Sequence, residues 1–155
     1  MKNKKQEKTK KAILKIANLL SSEQSLKWAI VGSCNLLLRG IDITPNDIDI
    51  ITTEDGIEKI YNNLKKFALG KIEFSHQLKF PSQKADFNID GIDIEVIGEE
   101  KNKGAYVNDR LKIEYIVLKN SKIPVASLKS EKNAYNKLGR EERVKLIDQI
   151  IQSPC

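Results

Sequence analysis

Residues 28–53 read WAIVGSCNLLLRGIDITPNDIDIITT, and this stretch decides the fold. It begins with four apolar residues, 28–31, which are typical of a short buried strand. Gly32 and Ser33 follow as a turn. Residues 34–39 then predict a helix that Gly40 closes as a candidate C-cap. The stretch therefore predicts a strand, a tight turn and a helix, leading into a second strand.

The second strand, over residues 47–51, carries Asp47 and Asp49 in the sequence NDIDII. Side chains alternate along a strand, so both carboxylates project from one face while the isoleucines project from the other. Like charges this close repel each other unless a cation lies between them. Mg²⁺ takes hard oxygen ligands, often one or two carboxylates together with substrate phosphates. Taken alone, the pair fits a metal site and a solvated sheet face about equally well.

The Gly32-Ser33 turn is a candidate phosphate-binding element. A glycine lets the backbone approach a ligand closely, and a helix N-terminus offers unpaired N–H groups to an anion. Ser33 adds a hydroxyl donor. By itself the signal is weak, since such a turn is more often a simple connection between a strand and a helix.

A second acidic pair, Asp93 and Glu95, lies in GIDIEVIG, again on one face of a strand. The preceding Asp90-Gly91 is a strong signal for a two-residue hairpin turn. If this hairpin lies beside the strand at residues 47–51, three or four carboxylates converge. Such a site can hold two metal ions that clamp the attacking and leaving oxygens of a nucleotidyl transfer.

The remaining pattern predicts a mixed α/β sheet flanked by helices, with a helical pair at the C-terminus. Amphipathic helices are predicted near residues 13–20 and 57–67, a weak strand at 71–74, and a strand or a short helix at 111–118. The segment 99–109 is polar and predicts a loop. Two further helices are predicted over roughly 127–138 and 140–152. We expect a single domain over 12–155, with its helical part from about residue 125.

The net charge of +6 is unevenly distributed, because residues 1–11 contain six lysines and one glutamate. We expect this segment to be a flexible basic tail on a nearly neutral domain. No apolar run is long enough to span a bilayer, and no apolar segment follows the first lysines. Two cysteines do not form a disulfide framework. The composition thus favours a soluble cytoplasmic protein with no membrane partner.

Together the motifs resemble the polymerase β-type nucleotidyltransferase superfamily, in which a Gly-Ser turn precedes an Asp-h-Asp-h strand and a later h-acid-h strand (h, hydrophobic). The chain is similar to small stand-alone bacterial members related to abortive-infection toxins and to aminoglycoside and lincosamide nucleotidyltransferases. The resemblance covers most of the chain from Trp28 onward. The matching stretches are WAIVGSCNLLLRG, NDIDIITTEDGIEKI, IDGIDIEVIG and IPVASLKSEKNAYNKLGREERVKLIDQI.

The resemblance implies a role for each motif. Gly32 and Ser33 would hold the nucleotide phosphates, and Asp47 and Asp49 would ligate Mg²⁺, or Mn²⁺ in its place. A third acid would also ligate metal and act as general base. Glu95 is the first choice for it and Asp93 the alternative. A basic residue of the C-terminal helices would reach the triphosphate of the NTP substrate. Lys132 matches best, and the neighbouring alternatives are Lys129, Lys137 and Arg140.

The leading hypothesis is a magnesium-dependent enzyme that transfers NMP from an NTP to an acceptor hydroxyl and releases pyrophosphate. The acceptor is RNA, a protein or a small molecule. The short chain leaves little room for an acceptor pocket, so a homodimer or a partner subunit would complete it. A non-catalytic, antitoxin-like module that binds a nucleotide or a partner is the alternative. A third hypothesis is nucleic-acid binding through the lysine tail.

Overall fold

The computed structural model describes residues 2–75, 82–99 and 112–152. Within these ranges the chain forms one seven-stranded mixed sheet in the order β3-β4-β5-β2-β1-β7-β6. The strands are β1 (Trp28–Val31), β2 (Asp47–Thr53), β3 (Glu73–Ser75), β4 (Ser82–Ile89), β5 (Ile92–Glu99), β6 (Ile113–Leu118) and β7 (Ser121–Ala126). The helices are α1 (Lys2–Leu20), α2 (Ser33–Leu38), α3 (Glu54–Leu64), α4 (Leu128–Lys137) and α5 (Glu141–Gln152). A 3₁₀ turn, Lys65–Phe67, extends α3.

The sheet is mixed because its central strand pairs differently with each neighbour. β2 is antiparallel to β1 and parallel to β5, while β5 is antiparallel to β4. β1 is also parallel to β7. The predicted α/β class, with a mixed sheet, flanking helices and a C-terminal helical pair, is therefore confirmed.

One face of the sheet is apolar and packs against α1 and α3. Ile48 and Ile50 of β2 are buried there together with Ile13 of α1 and Ile60 of α3. Gly98 of β5 sits where α3 crosses, and a Cβ there would come within 2.9 Å of the Ile57 side chain. The close approach of helix and strand therefore requires glycine at this position.

The predicted flexible tail over residues 1–11 is wrong for residues 2–11, which form the first half of α1. Thr9, Ile13 and Ile16 are almost fully buried and continue one stripe along the helix. The Gln6 amide donates to Asp42 Oδ1 at 2.9 Å and to the Ile43 carbonyl at 3.0 Å. The lysines hid this pattern because polar Gln6 and Thr9 take the positions that an apolar stripe would occupy. A single domain over residues 12–155 stays a prediction.

Two other features differ from the sequence prediction or extend it. β7 was missed because Pro124 removes a backbone donor, which argues against an interior strand. Its pairing with β1 is confined to the Ile30–Val125 register pair, whereas its ladder with β6 is long.

The Asp90-Gly91 hairpin is confirmed, with both residues at positive φ. The predicted loop at 99–109 lies outside the described residues after Glu99.

None of the described helices combines the length and the apolar character that a membrane crossing requires.

The anchoring of α1 predicts a stability effect. Gln6→Ala removes both hydrogen bonds to the segment before β2, and we expect it to lower the free energy of unfolding by about 1–2 kcal/mol. Lys4→Ala, an exposed change on the same helix, serves as the control and should stay within about 0.5 kcal/mol of wild type. Urea denaturation measures both. Equal stability of the two variants would contradict the packing of this half of α1.

Candidate active site

The parallel pairing of β2 with β5 brings the two predicted acidic pairs together. Asp47 lies opposite Asp93 in the register, and Asp49 lies opposite Glu95. Register partners project from the same face of a sheet, so these four carboxylates share the face opposite the apolar core. We call this surface, made of Asp47, Asp49, Asp93 and Glu95, the acidic face. The condition stated for a two-metal site, that the strand of Asp93 and Glu95 lies beside the strand of Asp47 and Asp49, is met.

The neighbouring strand β4 extends both rows of polar side chains. Asn88 lies opposite Asp93, and its amide donates to Asp93 Oδ1 at 2.9 Å. Asp86 lies opposite Glu95 and adds a fifth carboxylate. Asp86 belongs to no acidic pair in the sequence, so the alternation that singles out the other four acids does not single it out.

Lys84, also on β4, supplies a cation to this cluster. Its Nζ lies 3.4 Å from Glu95 Oε2 and 3.6 Å from Asp86 Oδ2. The negative charge of Glu95 raises the pKa of Lys84 above its usual value, and the charge of Asp86 adds a smaller increase. Partial burial acts in the opposite sense. The period-two spacing of Lys84 and Asp86 was the signal that could have placed them together. Glu95, the first choice for the third carboxylate, is thus ion-paired within the chain, whereas Asp93 accepts from a neutral amide.

The Gly32-Ser33 turn lies directly beside Asp49. β1 ends with Val31 opposite Asp49, and a Cβ on Gly32 would lie 3.4 Å from Asp49 Oδ2. Gly32 has φ 74° and ψ −146°, a conformation that side-chain-bearing residues rarely adopt. The turn therefore needs glycine, and its glycine brings the backbone to the acidic face.

Cys34, the second residue of α2, lies close enough to Asp47 and Asp49 for their charges to affect its thiol. Its Sγ donates to the Asp47 carbonyl at 3.3 Å. Burial raises the pKa of the Cys34 thiol well above its usual range, and the charges of Asp49 and Asp47 raise it further. The thiol therefore stays protonated and packs as a small buried side chain.

The structure places Glu131 of α4 against the same turn. Its Oε2 accepts a hydrogen bond from the Gly32 N–H at 2.6 Å and another from the Asn35 amide at 3.1 Å. The side chain is fully buried. Sequence reasoning missed this residue because it stands in a run of charged residues. Its spacing to Ala134 and Tyr135, which are buried on the same helix, was the available signal.

Lys132 follows Glu131, but it points to the last helix rather than into open solvent. Its Nζ lies 2.6 Å from Asp148 Oδ1, and about a third of each side chain is exposed. Among the alternatives, Arg140 contacts Glu142 and stacks over the Tyr135 ring. A phosphate would therefore have to compete with Asp148 for Lys132.

A cleft of about 320 Å³ lies at the acidic face. It is lined by four acids and three apolar residues, of which Phe87 and Ile94 have their side chains in the core: Asp47, Leu69, Asp86, Phe87, Asp93, Ile94 and Glu95. Leu69 is 64% exposed, so it presents an apolar edge beside the acids.

The donor set fits a magnesium ion that is held jointly with a substrate. Carboxylate oxygens are the ligands that Mg²⁺ prefers, and Asp47 and Asp49 present two of them from one strand. In the described part of the chain, no group of three or more His, Cys, Asp or Glu side chains is arranged to hold an ion by itself. Phosphate oxygens of a bound nucleotide would have to complete the coordination.

Comparison with known proteins gives a family and a fold. The model of the aminoglycoside-2″-adenylyltransferase family matches residues 12–151. A crystal structure of a Thermotoga maritima protein assigned as a nucleotidyltransferase is 28% identical, with a TM-score of 0.71 over 91% of each chain. A search of curated protein sequences gave no match.

Two structures of the antibiotic-resistance factor ANT(2″)-Ia share the fold. A crystal structure with adenylyl-2″-tobramycin is 14% identical, with a TM-score of 0.51 over 91% of this chain and 95% of that one. A solution structure is 10% identical, with a TM-score of 0.56 over 95% and 84%, respectively.

The contact between Glu131 and the turn predicts a graded response. Glu131→Ala leaves the Gly32 N–H and the Asn35 amide without this acceptor, and we expect a loss of about 1–3 kcal/mol in unfolding free energy. Glu131→Gln keeps one acceptor oxygen and should lose less. Glu58→Ala, an exposed change on α3, is the control for urea denaturation. Wild-type stability of Glu131→Ala would contradict a supporting role for this carboxylate.

Proposed function

Since this chain belongs to the aminoglycoside-2″-adenylyltransferase family, we propose that it uses Mg²⁺, or Mn²⁺ in its place, to transfer NMP from an NTP to an acceptor hydroxyl. The family and the fold make it a nucleotidyltransferase of the polymerase β type, as its motifs indicated. The observation that carries the finer proposal is the pairing of Asp47 and Asp49 with the acids of β5, beside the Gly32 turn. A cytoplasmic location, where NTPs are available, is part of this proposal.

Asp47 and Asp49 would hold the metal together with the phosphate oxygens. A bound divalent ion lowers the barrier by neutralising the charge that develops on the attacking and leaving oxygens. The two aspartates fix the position of that positive charge, and they do so from a rigid central strand. Because Asp49 lies next to Gly32, the triphosphate would approach between the turn and β2.

The third carboxylate would accept the proton of the acceptor hydroxyl. The hydroxyl oxygen forms a bond to the α-phosphorus, the bond from that phosphorus to the bridging oxygen breaks, and pyrophosphate leaves. Glu95 and Asp93 are both candidates for this base. Lys84 pairs with Glu95, so a role for Glu95 would require that ion pair to loosen when the substrate binds.

Ser33 would bind the phosphates, and the absence of a side chain at Gly32 would leave room for them. The Gly32 N–H is donated to Glu131, so we assign to Gly32 a steric role and to Ser33 the donor role. Lys132 would exchange Asp148 for a phosphate oxygen. These internal pairs also favour a second candidate function, a module that binds nucleotide without turnover.

The acceptor follows from less direct evidence. ANT(2″)-Ia, which shares the fold, was crystallised with adenylyl-2″-tobramycin, a small-molecule product. The cleft at the acidic face is large enough for part of such an acceptor. A homodimer or a partner subunit that completes the acceptor side remains part of the proposal.

Removing either aspartate of β2 should abolish turnover but not folding. We expect Asp47→Asn and Asp49→Asn each to lower kcat for pyrophosphate release by about 100-fold or more, since each weakens the hold on the metal. Asp55→Asn, an exposed change at the start of α3, is the matched control. Chelation by EDTA should have the same effect as the substitutions, with recovery on adding Mg²⁺ or Mn²⁺. Full activity of both variants would refute the assignment. Nucleotide binding in wild type without pyrophosphate release would favour the non-catalytic module.

The third carboxylate can be identified by a paired comparison. Asp93→Asn and Glu95→Gln remove one charge each with little change in shape. The variant that loses the general base should lower kcat by about 100-fold or more, since proton transfer by a positioned side chain contributes about 10²–10⁴-fold. The other variant should lower kcat by much less, as should Asp86→Asn. A kcat near that of wild type in both variants would exclude a base at either position.

A further inference from the structure

The outer surface of α1 carries a straight row of lysines that the proposed chemistry does not use. Lys4, Lys8, Lys11 and Lys15 are spaced i, i+4, i+7 and i+11, so they lie on one face of the helix. The row extends over roughly 16 Å, at 1.5 Å per residue. We call it the lysine face. It lies opposite the buried stripe that includes Thr9, Ile13 and Ile16.

The charge of this helix is almost entirely of one sign. The sequence of α1 holds seven lysines and one glutamate. Glu7 lies 3.7 Å from Lys10, which is not part of the lysine face. Because α1 is packed on the domain rather than flexible, its charges are held at fixed spacings on a rigid support.

The lysine face borders the end of the sheet where the acidic face begins. Lys8 Nζ lies 3.7 Å from the position that a Cβ on Gly91 would take, and Lys15 Nζ lies 3.7 Å from Asp90 Oδ2. Asp90 and Gly91 form the turn that leads into β5, two residues before Asp93. Because α1 packs on the apolar face of the sheet and the acidic face is the opposite one, a ligand lying along the lysines would reach the acidic face by passing around this turn.

We propose that the lysine face binds the phosphate backbone of a single-stranded RNA and presents one of its ribose hydroxyls to the acidic face as the acceptor. The proposed RNA binding is supported by charge complementarity, since a row of lysine ammonium groups can neutralise successive phosphates of the backbone. The acceptor half rests on the proposed function. A membrane is the less suitable partner, because insertion requires an apolar helix face and that face of α1 is packed in the core.

The test compares two triple variants that remove the same charge. Lys4→Gln, Lys8→Gln and Lys11→Gln together remove three exposed lysines of the lysine face. Lys27→Gln, Lys119→Gln and Lys122→Gln remove three exposed lysines that are not part of α1. Lysine and glutamine have similar helix propensities, so α1 should persist, and circular dichroism checks this.

Fluorescence anisotropy with a fluorescein-labelled single-stranded RNA, over a range of salt concentrations, gives the result. The α1 variant should bind at least about 10-fold more weakly, and the slope of log K against log salt should become shallower by about 2, for three lost phosphate contacts. The control variant should resemble wild type. Unchanged RNA affinity of the α1 variant would overturn the proposal. Loss of binding to phosphatidylserine-containing vesicles, with RNA binding intact, would also overturn it in favour of a membrane.

A second arm separates this proposal from the proposed function. Wild type and the α1 variant are each incubated with labelled NTP and Mg²⁺, together with the same RNA and an aminoglycoside as a small-molecule acceptor. Label transferred to the RNA by wild type, and strongly reduced in the α1 variant, supports both halves. If wild type binds the RNA through the lysine face but labels only a small-molecule acceptor, the acceptor half is overturned. If it labels no acceptor at all while RNA binding holds, the proposed function fails and the docking surface stands.

Discussion

The parallel pairing of β2 with β5 is the constraint on which the rest of the site depends. It places Asp47 beside Asp93 and Asp49 beside Glu95 on one face of a sheet whose other face is the apolar core. Like charges at this spacing destabilise the strand pair unless positive charge is supplied. The acidic face therefore requires bound cations to offset its negative charge, and Lys84 neutralises only part of that charge.

The support of the phosphate-side turn comes from the C-terminal helices. A fully buried Glu131 accepts from the Gly32 N–H, so α4 is tied directly to the turn beside Asp49. A buried carboxylate is costly unless it is hydrogen-bonded, and the Asn35 amide adds a second donor. This arrangement explains how a short loop can hold Gly32 in an unusual backbone conformation. It also couples the helical pair to the site without requiring any of its lysines to touch a nucleotide.

The features set by local pattern could be predicted from the sequence. Period-two alternation located Asp47, Asp49, Asp93 and Glu95, and Asp90-Gly91 located the hairpin that carries the second pair. Features set by tertiary contacts could not. Glu131 looks like a solvated charge until its partner Gly32 is known, and the N-terminal lysines look like a tail until the anchors of Gln6 are seen. β7 could not be predicted because a proline such as Pro124 argues against an interior strand. The structure tolerates it because β7 pairs with β1 at only one register position.

The central claim is that the acidic face holds a divalent ion jointly with a nucleotide, and Mn²⁺ binding tests it most directly. Electron paramagnetic resonance can measure free and bound Mn²⁺ with and without a non-hydrolysable NTP analogue. The account predicts weak Mn²⁺ binding to the protein alone, much tighter binding when the analogue is present, and loss of that gain in Asp49→Asn. Mn²⁺ affinity that does not change with the analogue, or that persists in Asp49→Asn, would contradict it.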